Sequence, residues 1–96
     1  MNYNETVEVI GEDGVSLGRA ILRGQAYRES RGGLWQWSGF LTKTQIVPGD
    51  AKDAGVLTIR FKNGATGKAL YTDGDDNPDD PWVELQGQGT PPKVGV

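Results

Sequence analysis

The stretch VLTIRFKNGATGKALYT, residues 56–72, decides the fold class. Leu57, Ile59 and Phe61 alternate with Thr58, Arg60 and Lys62, the period of two that a strand with one buried face requires. Asn63-Gly64 follows, a dipeptide that predicts a two-residue hairpin turn with positive φ at both positions, and Lys68 to Thr72 reads as the returning strand.

The same grammar extends outward from this hairpin. Thr6 to Ile10 runs through Glu12-Asp13-Gly14 into a returning stretch from Ser16 to about Tyr27. Leu34 to Thr42, rich in aromatic residues, predicts a third strand and Trp82 to Gln86 a sixth, each behind a turn-rich segment. Between the halves, Ile46 to Ala54 with Pro48-Gly49-Asp50 has room for one short helical turn.

The halves read as an internal repeat of two three-stranded meanders. Asp13-Gly14 and Gly18-Arg19-Ala20-Ile21 are echoed by Asn63-Gly64 and Gly67-Lys68-Ala69-Leu70, and Trp37-Ser38-Gly39 aligns with Leu85-Gln86-Gly87. A three-stranded sheet has one apolar face to hide, so two of them close on each other. The expected architecture is all-β: a small antiparallel six-stranded barrel or sandwich. Its core is expected to hold Val7, Val9, Leu22, Trp37, Leu57, Ile59, Phe61, Tyr71, Val83 and Leu85. Residues 1–90 read as one β domain and 91–96, which open on Pro91-Pro92, as an extended C-terminal tail.

Composition narrows the function. The 96 residues contain no cysteine and no histidine, which removes thiol nucleophiles, disulfides, cysteine zinc sites and the usual neutral-pH general base. Ser16, Ser30 and Ser38 therefore have no imidazole to activate them, and none lies in a nucleophile elbow. The 15 glycines, about twice the average frequency, fit a chain of tight turns. A net charge of −3 argues against nucleic acid and anionic membranes as bulk partners. No basic, apolar leader and no 18-residue apolar run is present, so the expected location is the cytoplasm and the expected activity is not enzymatic.

Two clusters remain. Asp73, Asp75, Asn77 and Glu84 have the spacing that turns alternate oxygens toward a hard cation such as calcium, with Glu84 at the twelfth position of an EF-hand count. Pro78 stands where that loop needs glycine, so the segment reads as a solvated acidic turn with no metal or cofactor. The basic counterpart gives the candidate binding residues Arg23, Tyr27, Arg28, Arg31, Trp35 and Trp82. Trp35 and Trp37 share one face of the third strand; the expected orientation is inward, which turns Leu34, Gln36 and Phe40 out.

The function expected is a non-catalytic protein-interaction or assembly module docking through loops or an open strand edge. Arginine with interleaved aromatics offers an oligonucleotide-binding barrel as the alternative, and Trp35 or Trp82 beside a calcium loop a carbohydrate-binding module. The segment Arg19 to Lys43 carries five bases against Glu29 alone, while Asp73 to Glu84 carries six acids and no base. If the strands alternate in direction, the turns after the second and fifth strands lie at opposite ends, so a second copy stacked head to tail joins the expected partners.

Overall fold

The computed structural model describes residues 1–28 and 32–93. Six strands surround a closed barrel: β1 (Asn2–Ile10), β2 (Ser16–Arg28), β3 (Trp35–Thr42), β4 (Leu57–Phe61), β5 (Thr66–Asp75) and β6 (Trp82–Gln88), with helix α1 (Pro48–Asp53) between β3 and β4. The spatial order is β1-β2-β3-β6-β5-β4, and every neighbouring pair is antiparallel. The all-β antiparallel expectation holds, and of its two forms the barrel is the one present.

The β1–β2 and β4–β5 hairpins turn the same way. Gly11 N–H donates to Val15 O and Gly14 N–H to Gly11 O, as Phe61 N–H does to Ala65 O and Gly64 N–H to Phe61 O. The Asp13 and Asn63 side chains accept from the N–H groups of Val15 and Ala65, each at 2.9 Å. This corrects the two-residue turn expected at Asn63-Gly64. Gly64 has φ +89°, but Asn63 is not among the positive-φ residues. The loop therefore has three residues, a tight turn followed by one left-handed glycine, which leaves Asn63 free to cap with its side chain.

Inward positions form one continuous core. Val7 faces Ala20 and Val9 faces Gly18 across β1 and β2; Leu57 faces Ala69 and Ile59 faces Gly67 across β4 and β5. Nine of the ten expected core residues are buried, and Tyr71 packs against them partly exposed. Trp37 has no exposed surface, and Trp35 lies partly buried against the same core, so the tryptophans do face inward. The Trp37 indole lies so close to Gly87 that a Cβ there would meet Nε1 at 2.1 Å. Tyr3 meets Trp37 edge-on at 6.1 Å and Phe61 at 5.6 Å.

In the third strand the pairing departs from the expected alignment of Trp37 with Leu85. Leu22 pairs with Leu41 as Tyr71 pairs with Leu85, so Leu41, rather than Trp37, stands where Leu85 does.

Each end of the barrel is closed differently. At the end holding the β1–β2 turn, Ile46 and Ala51 are buried in the core, Pro48 starts α1, and Ala54 O accepts from Glu12 N–H. Proline at the first helical position and the flanking Asp50 and Lys52 suit this one short turn to the helix dipole. At the other end Pro91 and Pro92 are buried, Tyr3 Oη donates to Pro92 O at 2.6 Å, and Lys93 binds Glu5 while lying 4.8 Å over the Phe61 ring. As far as Lys93, then, the segment read as a tail packs against the barrel. Among the described residues no helix is long and apolar enough to cross a membrane.

Candidate binding face

The outward positions of β2, β3 and β6 make one surface. Arg23 on β2 stands opposite Phe40 on β3, and Phe40 stands opposite Glu84 on β6. Two residues from Glu84, Trp82 brings its ring to 5.9 Å from Phe40 at an interplanar angle of 68°. Phe40 is 43% exposed although it sits in the middle of a strand. Thr72 Oγ1 donates to Glu84 Oε1 at 2.9 Å, fixing that carboxylate at the border of the pair. A hollow of about 230 Å³ lies beside it, lined by Ser38, Phe40, Thr72, Glu84 and Gln86.

The six candidates from the sequence do not form one cluster. Arg23, Tyr27 and Trp82 belong to this face, with Tyr27 Oη donating to Gln36 Oε1 at 3.3 Å. Arg28 and Trp35 pair across the β2–β3 hairpin instead, the guanidinium 4.9 Å from the ring centroid. That contact occupies one face of Trp35. Arg31 lies outside the described residues. Phe40 was missing from the candidates: alternation along β3 turns it outward, but only the β3–β6 register brings it to Trp82.

The acidic candidates are spoken for locally. Asp73 and Asp75 end strand β5 rather than sitting in a loop. Asp73 Oδ1 accepts from Gly74 N–H, Asp75 Oδ1 from Asn77 N–H and Asn77 Oδ1 from Asp79 N–H. Among the described residues no three carboxylates gather as metal ligands. Asp76, Asp79 and Asp80 instead form one wall of an open cleft of about 770 Å³, whose other wall is Lys43 to Pro48.

Other charges are arranged in pairs. Glu8 accepts from Arg60 across β1 and β4, and that hydrogen bond, followed by one from Ser16, holds its carboxyl below the usual range. Burial and then the neighbouring Glu5 charge push the Tyr3 phenol up to about 12. What the β2–β3–β6 face offers chemically is an aromatic centre between one cation and one anion.

No family model, curated protein or solved structure matches the chain.

Proposed function

We propose that the chain is a non-catalytic binding module of the cytoplasm that docks a partner protein on the outer face of β2, β3 and β6. The observation that carries this is the pairing of exposed Phe40 with half-buried Trp82, held between Arg23 and Glu84. Aromatic residues and arginine dominate the energetic centres of protein interfaces, and a rim of mixed charge sets register with the partner. Closure of the barrel favours a face over an edge, since a paired strand has no free backbone groups to template another. The partner is a protein surface with an apolar centre and charges of both signs around it.

Two features count against the alternatives. A nucleic acid laid on this face brings phosphates to Glu84 and Asp75, while Arg60 and Lys93 already pair with Glu8 and Glu5. A sugar ring needs a flat aromatic platform, and the edge-on meeting of Phe40 and Trp82 presents none.

Two meanders that share their turn construction also support an internal duplication. The pairs Val9–Ile59 and Phe40–Glu84 then lie on its pseudo-two-fold axis. The face is built across one of those two junctions.

A photo-crosslinking residue at Phe40 tests the docking. A discrete protein adduct is expected there, diminished by Arg23→Glu and absent with the crosslinker at Lys62 on the opposite end. Adducts to nucleic acid, or equal protein adducts from both positions, would show the reading to be wrong.

A further inference from the structure

The charges are sorted along the barrel axis. At the end formed by the β1–β2 turn, α1 and the β5–β6 loop lie Glu12, Asp13, Asp50, Asp53, Asp76, Asp79 and Asp80 against Lys43 and Lys52. At the other end, among the described residues, Lys93 is paired with Glu5, while Arg28 and Lys62 carry uncompensated positive charge.

The basic end also projects. β1 follows β2 no further than Asn2–Gln25, apart from the bonds between Met1 and Ala26, and β6 follows β3 only over Ser38–Leu41. Tyr27, Arg28, Trp35 and Gln36 therefore pair only with each other, as a ribbon beyond the barrel, stiffened by the Arg28–Trp35 stack. Leu34 sits next to that stack and is 86% exposed, the most exposed large apolar residue among the described residues. The acidic end offers the complement: a cleft with Val47 and Pro81 among its apolar lining and Asp76, Asp79 and Asp80 along one side.

We propose that the cleft between Lys43–Pro48 and Asp76–Pro81 receives, from a second copy of this chain, the ribbon end that carries Arg28, Leu34 and Trp35. The two surfaces lie at opposite ends of a molecule 42 Å long, so a chain does not fill its own cleft. The contact joins unlike surfaces and repeats from copy to copy, giving a ring if the rotation closes and a filament if it does not. It uses the ends of the barrel and none of Arg23, Phe40, Trp82 or Glu84, the centre of the docking face proposed above.

Sedimentation velocity of the full chain across a concentration series, at about 10 mM and about 500 mM salt, tests it. Exposed charges act over about 30 Å at the lower salt and over only a few ångströms near molar salt. Concentration-dependent oligomers are expected in low salt and monomers in high salt. Arg28→Glu and Asp79→Arg should each weaken association about tenfold or more, because like charges then face each other. The double variant Arg28→Glu/Asp79→Arg, or an equimolar mixture of the two single variants, should restore it. Leu34→Ser should weaken association with an unchanged melting temperature, and Phe40→Ala should leave it intact. A monomer at every concentration in low salt, association indifferent to salt, or assembly that survives Leu34→Ser and Arg28→Glu overturns the proposal and leaves the cleft to a partner of other sequence.

Discussion

Replacing Gly87 with alanine should be among the most damaging single-methyl changes in this barrel. The new Cβ would stand 2.1 Å from Trp37 Nε1, 2.2 Å from Cδ1 and 2.3 Å from Cε2. Ordinary carbon contacts begin near 3.5 Å, so the ring or the strand must give by more than about 1 Å. The ring has little room to do so. Trp37 has no exposed surface, Tyr3 meets it edge-on, and it lies against the Gly67 position on a second strand, where a Cβ would meet Cζ2 at 3.1 Å. Moving β6 instead breaks its pairing of Gly87 with Ala69. Overpacking of a tight core costs about 1–3 kcal/mol, and a rigid, enclosed indole places Gly87→Ala at the top of that range. For a domain of this size, about 3 kcal/mol lowers the melting temperature by roughly 12–24 °C.

Urea unfolding followed by far-ultraviolet circular dichroism measures that loss as a lower midpoint at constant slope. A double-mutant cycle identifies its cause. Trp37→Leu alone removes core volume at a cost of about 2–4 kcal/mol, but in the Gly87→Ala background it also relieves the overlap. The double variant should therefore be more stable than the sum of the two losses by at least about 1 kcal/mol. Gly87→Ala within about 0.5 kcal/mol of the parent, or a strictly additive cycle, would refute the packing of Trp37 against Gly87.

Three further outcomes follow from the same packing. Gly64→Val should cost about 1–3 kcal/mol in thermal unfolding, because a β-branched side chain is strained at φ +89°. Tyr3 has its pKa raised from 10.0 to about 12, so its contribution to stability is fully present below pH 10 and is lost as pH rises through about 12. In alkaline unfolding, Tyr3→Phe should flatten that decline and, at neutral pH, cost about 1 kcal/mol for the bond to Pro92 O. Ending the chain after Thr90 should cost at least about 2 kcal/mol in chemical denaturation, since it removes the buried Pro91 and Pro92 and the acceptor for Tyr3.

Local alternation made most of the barrel legible. Leu57, Ile59 and Phe61 announce β4 without ambiguity, and the inward tryptophans follow from Trp37, Gly39 and Leu41 sharing a face. Strand ends were harder to place. β1 begins at Asn2, four residues before the expected start, because Tyr3 is the one apolar residue from Asn2 to Glu5 and a single aromatic residue makes no pattern. β5 reaches Asp75 because backbone pairing with Glu84, Val83 and Trp82 carries it past its apolar residues. The Asn63-Gly64 dipeptide alone does not fix the turn, since it fits both a two-residue and a three-residue loop; the side-chain cap on Ala65 N–H belongs to the longer one. The binding face was half legible. Arg23, Tyr27 and Trp82 can be read from residue type, whereas the partnership of Phe40 with Trp82 depends on which strands close the barrel and in what register. Pro91 and Pro92 carry no periodicity, so their burial beside Tyr3 is set by tertiary packing alone.

Affinity for the protein captured at the Phe40 position is the most direct test of docking on the β2–β3–β6 face. With that partner purified, Phe40→Ala and Trp82→Ala should each raise Kd by about 30-fold, the roughly 2 kcal/mol expected of an aromatic residue at the centre of an interface. Lys62→Ala, at the far end, should leave Kd unchanged, and the partner should be recovered chemically intact. Equal affinity for Phe40→Ala and the parent, or covalent conversion of the partner by the domain, would contradict a non-catalytic module that binds through this face.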